Sequence, residues 1–126
     1  MNPNNIAIFF ELPVIDMARA VAFYEALLAA PLRAEECAAV GQVVHIFDRE
    51  GAEVKGALMQ AGEGFQPGQG SLIYLNGGED LAGPLGRVEA AGGKVLTPKT
   101  ALPEDWGFIA HFLDSEGNRV GLHSLA

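Results

Sequence analysis

The sequence predicts an α+β fold made of two copies of one unit, in which a strand, a helix and three further strands follow each other. The main observation is an internal repeat. Asp48-Arg49-Glu50-Gly51-Ala52-Glu53-Val54 is matched later by Asp114-Ser115-Glu116-Gly117-Asn118-Arg119-Val120. The runs His45-Ile46-Phe47 and His111-Phe112-Leu113 stand before the two copies. A Gly-containing polar turn after an apolar run is typical of a hairpin, so the repeat predicts one hairpin in each unit.

The length of 126 residues fits one domain with a proper core, because a domain of this size buries roughly two thirds of the surface of its unfolded chain. We expect a single domain over residues 1–126, with the first unit at 1–62, a linker at 63–69 and the second unit at 70–126. The linker region is rich in Gly, Pro and Gln and has neither helical nor strand periodicity.

The first unit opens with a short apolar run, from Ile6 to Leu12, that predicts a strand buried on both faces and stopped by Pro13. Asp16 then fits the N-cap of an amphipathic helix that ends before Pro31. The apolar positions of this helix are Met17, Ala20, Val21, Tyr24, Leu27 and Leu28.

The order of patterns restarts at Ser71, where a strand is followed by a helical region from Glu79 to Ala91 that Gly92-Gly93 ends. Pro84 is tolerated only near a helix start, so the regular helix is predicted to begin there. The remaining predicted strands are Leu32 to Cys37, Gln42 to Phe47, Val54 to Gln60, Ser71 to Leu75, Lys94 to Thr97, Phe108 to Leu113 and Val120 to Ser124.

Composition excludes several classes of partner. The formal net charge of −8 disfavours nucleic acid and acidic membrane surfaces, and no apolar run is long enough to span a bilayer. Cys37 is the only cysteine, so no internal disulfide forms and a reducing compartment is the simplest setting. We therefore expect a cytoplasmic protein.

A set of motifs spans most of the chain in a characteristic order. They are Phe10-Glu11-Leu12-Pro13-Val14, Asp16-Met17, Arg19-Ala20, Phe23-Tyr24, Ala91-Gly92-Gly93-Lys94-Val95, Phe112, Asp114 and Glu116-Gly117-Asn118. Their order resembles the vicinal oxygen chelate superfamily, which includes glyoxalase I, bleomycin resistance proteins and extradiol dioxygenases.

The resemblance implies that the units form two halves of a cup-shaped mixed sheet, with helices on its convex side and a small-molecule cavity between the halves. It also implies a homodimer, in which the cavity forms within one chain or between two. Metal-binding members carry ligands on the first and last strands of each unit. The matching positions here are Phe9, Ser71, Gly121 and a residue near Lys55 or Ala57, none of which suits a divalent ion. The usual metal site is therefore predicted to be missing.

Two ionisable residues share the predicted inward side, because side chains two apart on a strand point the same way. Glu11 lies two residues after Phe9, and His123 lies two after Gly121. They are candidates for a carboxylate and imidazole pair that transfers a proton or orients a ligand. The alternative is that Glu11 meets a donor at the cup rim and that His123 is a hydrogen-bonded histidine of the last strand.

Three further sets of residues have candidate roles. Ser71, Gly121 and Phe9 are predicted to line the ligand site, with small side chains leaving room, and Trp106 is either a lining residue or an anchor at the edge of the core. The acids of the repeated turns are Asp48, Glu50, Asp114 and Glu116. They suit hydrogen bonds to local backbone better than catalysis.

The leading functional hypothesis is a binder of a small organic molecule, with no cofactor. The alternative is a metal-dependent lyase or isomerase of glyoxalase type that holds one divalent ion. Its ligands would come from Glu11, His45, His111 and His123, and the two histidines of the repeat would occupy equivalent places.

Overall fold

The chain folds as two four-stranded sheets, one from each predicted unit, in a computed structural model that describes residues 4–7, 9–38, 41–68 and 70–126. The elements in chain order are β1 (Phe9–Val14), α1 (Met17–Leu28), β2 (Arg33–Cys37), β3 (Gln42–Phe47), β4 (Lys55–Gln60), β5 (Tyr74–Asn76), α2 (Ala82–Leu85), β6 (Lys94–Ala101), β7 (Phe108–Leu113) and β8 (Arg119–Ser124). None of the helices in these ranges is long and apolar enough to cross a membrane.

The two sheets have the same topology. Their strand orders are β1-β4-β3-β2 and β5-β8-β7-β6, and in each the first strand pairs in parallel with the fourth while the other pairs are antiparallel. The predicted α+β class and the duplicated unit are therefore confirmed. The cup formed by the two sheets stays a prediction.

Helix α1 forms as the sequence predicts. The Asp16 carboxylate accepts a hydrogen bond of 3.1 Å from the Arg19 backbone N–H, which satisfies one of the free donors of the first turn. After Leu28 the chain leaves the helix at Ala29, whose φ of 53° is left-handed. The buried stripe comprises Ala20, Phe23, Tyr24 and Leu27.

This stripe contacts both sheets, so one core serves the whole chain. The Tyr24 ring lies 5.2 Å from the Phe47 ring of β3, and the Phe23 ring lies 6.0 Å from the Phe112 ring of β7, measured between centroids. Leu58 of β4 is fully buried in the same cluster. The side of each sheet that faces α1 is therefore the apolar side.

The second copy of the repeated turn ties the units together. The Asp114 carboxylate accepts hydrogen bonds from the Tyr24 hydroxyl at 2.7 Å and from the backbone N–H groups of Glu116 and Asn118. The Asn118 side-chain amide donates both to Asp114 and to the Pro13 carbonyl of β1. Asp114 has the structural role that the sequence predicts, but its hydrogen bonds also extend beyond the local turn, to Tyr24 of α1.

Glu116 makes the second connection between the units. Its carboxylate accepts from the backbone N–H groups of Ile15 and Asp16, each at 2.8 Å, and forms an ion pair with Arg19 at 2.7 Å. Burial disfavours the charge, but the hydrogen bonds from Arg19, Asp16, Ile15 and Ser115 prevail and lower the pKa of Glu116 from 4.5 to about 2. The carboxylate stays ionised at neutral pH and anchors the start of α1.

The prediction that the first strand is buried on both faces is wrong. Strand β1 is an edge strand that runs through Pro13 to Val14, which an edge tolerates because the missing N–H need not bond a neighbour. Phe10, Leu12 and Val14 turn toward α1, whereas Phe9 and Glu11 are exposed on the other face. Ile8, within the predicted strand, lies outside the described residues.

The predicted long second helix is also wrong. Regular helix is confined to Ala82–Leu85, and turns bonded mostly over three residues continue to Gly92. Gly83 and Gly86 are poor helix formers and Pro84 has no N–H, so the segment cannot hold a regular ladder. The predicted stop at Gly92 ends these turns and not the helix, which already ends at Leu85, and Gly92 takes a φ of 108°.

The strand predicted from Lys94 to Thr97 is longer than expected, because β6 continues to Ala101. Register shifts between Val95 and Thr97 and between Thr97 and Thr100 let the strand pass Pro98 and stay paired with β7.

Candidate functional site

The two sheets each present an outer face, which is the face turned away from α1. In the first sheet Glu11 stands on this face opposite Ala57. In the second sheet Tyr74 stands at the corresponding place, opposite Gly121. Strand β5 begins at Tyr74, three residues after Ser71, so Ser71 precedes the strand on which it was predicted to lie.

The ring of Tyr74 covers Gly121. A Cβ atom at Gly121 would come within 2.4 Å of this ring, so glycine is what allows the ring to lie flat on β8. The space expected above Gly121 for a guest is thus taken by a side chain of the protein itself.

Gly121→Ala is therefore expected to displace the Tyr74 ring and to lower the free energy of unfolding by about 1–3 kcal/mol, as overpacking does. Urea titration of both proteins measures the loss, and NMR shifts of the Tyr74 ring report its movement. Gly62→Ala is the matched control, because nothing lies within 4 Å of a Cβ there. Equal stability of Gly121→Ala and wild type would contradict the close packing.

Tyr74 belongs to a hydrogen-bonded cluster on the outer face of the second sheet. Its hydroxyl oxygen lies 2.7 Å from Nε2 of His111, and Nη2 of Arg119 lies 3.1 Å from Nδ1 of the same ring. Burial, followed by the charge of Arg119, lowers the pKa of His111 below its usual 6.5. His111 is consequently neutral at physiological pH, and both of its ring nitrogens have partners.

His123 and Trp106 are brought together, but through the Trp106 backbone. Nε2 of His123 lies 2.7 Å from the Trp106 carbonyl oxygen. A carbonyl only accepts, so Nε2 carries the proton. This arrangement is the hydrogen-bonded histidine that the sequence left as the alternative. The Trp106 side chain is 60% exposed, so it does not anchor the core.

The two units meet at a cavity of about 870 Å³. It opens where β1, β4 and β5 begin and where α1 ends. Aromatic side chains form much of its wall, and charged residues of the turn between β3 and β4 stand at its rim. The aromatic lining residues are Phe9, Phe10, Phe47 and Tyr74, and the charged ones include Asp48, Arg49, Glu53 and Lys55. Phe9 and Ser71, two of the predicted lining residues, are both on this wall.

A second, more open cavity of about 940 Å³ lies beside the end of β8. His123, Asn76 and Leu125 line it, and Tyr74 stands between it and the first cavity. Glu11 lines neither cavity and has no hydrogen bond or ion pair with any described residue. The predicted pairing of Glu11 with His123 in proton transfer stays a prediction.

The histidines of the repeat do not occupy equivalent places. His45 pairs with buried Leu58 and shares the α1 side of its sheet with Phe47, whereas His111 pairs with Gly121 on the outer face. The buried Nδ1 of His45 has no hydrogen-bond partner within the described part of the chain.

Metal donors do not gather in the described parts of the chain. No three His, Cys, Asp or Glu side chains there are close enough to hold an ion. The alternative ligand set is divided between two faces, with His45 on the α1 side and Glu11, His111 and His123 on outer faces. The residues present do not fit a resident divalent ion within one chain.

Sequence reasoning missed Tyr74 as a site residue and weighed His111 only as a metal ligand. A signal was present, because Tyr74 and Asn76 interrupt an apolar run as Glu11 does in the first unit. Tyr74 covers Gly121 because of the register of β5 against β8. The linker before β5 sets this register, and it carries no periodic pattern.

The family of this chain is shown by a match over almost the whole sequence. The family model described as Glyoxalase/Bleomycin resistance protein/Dioxygenase superfamily matches residues 6–122. The chain belongs to this superfamily. The predicted resemblance is thereby confirmed. No curated protein matches the sequence.

Solved structures of the superfamily share the fold. A glyoxalase/bleomycin resistance protein from a Streptomyces species is 28% identical with a TM-score of 0.71, and the match covers 94% of this chain and 99% of that one. TnmS3, an antibiotic binding protein from the same source, is 23% identical with a TM-score of 0.71 over 100% of both chains. A glyoxalase/bleomycin resistance protein from Albidiferax ferrireducens is 16% identical with a TM-score of 0.75, covering 94% and 97%.

Proposed function

We propose that this superfamily member binds a small aromatic molecule in the cavity of about 870 Å³ between its units. The observation that carries the proposal is the lining. Cavities of roughly 300–1,000 Å³ with apolar and aromatic walls and a few polar groups are typical of sites for drug-sized ligands. Phe9 and Tyr74 remain 49% and 45% exposed there, so aromatic surface is available to a ligand.

The relatives support an antibiotic as the ligand class. TnmS3 is an antibiotic binding protein, and the more similar Streptomyces structure is a glyoxalase/bleomycin resistance protein. We propose that the present protein sequesters an aromatic antibiotic and needs no cofactor to do so. No contact among the described residues favours the alternative of a metal-dependent lyase.

Filling the cavity is expected to abolish binding. Ser71→Phe adds a ring on the cavity wall, and we expect it to weaken binding of bleomycin or doxorubicin at least about tenfold, measured by calorimetric titration. Ala18→Phe on the exposed side of α1 is the matched control and should bind as wild type does. Wild-type affinity in Ser71→Phe would exclude this cavity, and failure of the wild type to bind either drug would refute sequestration of this class.

We also propose that the protein is a cytoplasmic homodimer. The support is the exposed apolar surface outside this cavity, to which Ile15, Val43 and Trp106 contribute, since exposed apolar patches are typical of interaction sites. We expect sedimentation equilibrium to give twice the chain mass of 13.3 kDa. A mass equal to one chain at micromolar concentration would rule the dimer out.

A further inference from the structure

The hydrogen bonds around His111 determine where its single ring proton lies. An arginine guanidinium donates and never accepts, so Nδ1 of His111 must accept from Nη2 of Arg119 at 3.1 Å. The proton of the neutral ring is then on Nε2. Because Nε2 lies 2.7 Å from the Tyr74 hydroxyl, its N–H donates to the Tyr74 oxygen.

This donation leaves the hydroxyl proton of Tyr74 without an acceptor among the residues that the structure describes. The Tyr74 oxygen acts as acceptor toward His111, and no described residue accepts the hydroxyl proton in return. The Tyr74 ring cannot move closer to β8, because it already lies against Gly121 of that strand. Tyr74 is 45% exposed and borders both cavities, so its proton is open to a bound molecule.

We propose that Arg119 and His111 hold the Tyr74 hydroxyl as a directed hydrogen-bond donor for a carbonyl oxygen on an aromatic ligand. The inference rests on the proposed binding function and narrows its ligand class to aromatic ketones, quinones or amides. A fixed donor discriminates against the same ring system without an acceptor, since the hydroxyl then loses its solvent partner and gains none. His111 and Arg119 act as positioning residues and do not touch the ligand.

The first test needs no ligand. Long-range proton–nitrogen correlation spectra separate protonated from unprotonated ring nitrogens, and His111→Gln assigns the signals of His111. We expect a neutral ring with its proton on Nε2 in the wild type, and a mixture of both tautomers in Arg119→Leu, which lacks the donor to Nδ1. A wild-type ring with its proton on Nδ1, or a doubly protonated ring at neutral pH, overturns the proposal.

The second test uses two planar probes that differ by one carbonyl, 9-fluorenone and fluorene. The readout is the ratio of their dissociation constants, because differences in probe solubility cancel when the ratio is compared between proteins. Tyr74→Phe keeps the ring over Gly121 and removes only the hydroxyl. We expect the preference for 9-fluorenone to fall about fivefold in Tyr74→Phe, the worth of one neutral hydrogen bond.

The outcomes separate this inference from the function on which it rests. Equal ratios in the wild type and Tyr74→Phe overturn the directed donor but leave aromatic binding intact. If neither probe binds the wild type, both the donor and the proposed function fail for this class of ligand. A reduced preference for 9-fluorenone in Tyr74→Phe, with an intermediate preference in Arg119→Leu, supports the proposed chain of hydrogen bonds from Arg119 through His111 to Tyr74.

Discussion

Asp114→Ala is expected to lower the free energy of unfolding by about 3–5 kcal/mol, a large part of the roughly 5–15 kcal/mol of a typical domain. The carboxylate accepts four hydrogen bonds, from the Tyr24 hydroxyl, the Asn118 amide and two backbone N–H groups. Asp114 and Asn118 are both buried, so water cannot readily replace the lost acceptor. Urea unfolding at one protein concentration measures the difference, with an unchanged slope expected.

The repeat itself supplies the control. Asp48 holds the same place in the first unit, but it pairs with Arg33 and Lys55 at the surface. Exposed ion pairs contribute little, so Asp48→Ala should cost only a small fraction of the loss in Asp114→Ala. Tyr24→Phe removes one of the four hydrogen bonds, so its loss in the free energy of unfolding should lie between the losses in Asp48→Ala and Asp114→Ala. Similar losses in Asp114→Ala and Asp48→Ala would mean that the buried network does not join the units.

Glu116→Gln is expected to reduce the dependence of stability on acid pH. The pKa of Glu116 is about 2 in the folded protein against an ordinary 4.5, because the hydrogen bonds of Arg19, Asp16 and Ile15 outweigh burial. A lowered folded-state pKa stabilises the fold above about pH 4.5, and this stabilisation disappears as the pH falls toward 2. The shift corresponds to about 3 kcal/mol at pH 7.

The measurement is the free energy of unfolding of wild type and Glu116→Gln at pH 7 and at pH 2.5. We expect a gap of about 3 kcal/mol at pH 7 that narrows strongly at the lower pH. Glu50→Gln is the control, because Glu50 holds the equivalent place in the first turn and is exposed. A gap that keeps its size at low pH would show that the Glu116 charge is not responsible.

The fold could be predicted largely from the sequence because its signals are periodic and duplicated. The stripe of α1, the Asp16 cap and the hairpin turns each obey a local rule, and the structure confirms them. The second helix could not be predicted, since Gly83, Pro84 and Gly86 weaken a pattern that otherwise has helical spacing. Local propensity prevailed there over periodicity.

The candidate site was less predictable, because it depends on registers between distant strands. A face reverses when a strand shifts by one residue, and His45 and His111, which hold equivalent places in the sequence repeat, lie on opposite faces of their sheets. Phe9 and Ser71 follow from their positions near the strand starts. The Tyr74 ring over Gly121 follows only from the pairing of β5 with β8, which no local pattern encodes.

The unequal burial of the two repeated turns bears on how ligand preference can change. The second turn anchors α1 and the core, so substitutions at Asp114 or Glu116 are penalised through stability. The first turn instead contributes Asp48, Arg49 and Glu53 to the cavity rim. The second turn thus supports the scaffold, whereas the first turn can vary in sequence at the rim of the cavity. A library confined to residues 48–54 should alter ligand selectivity while leaving most of its members folded.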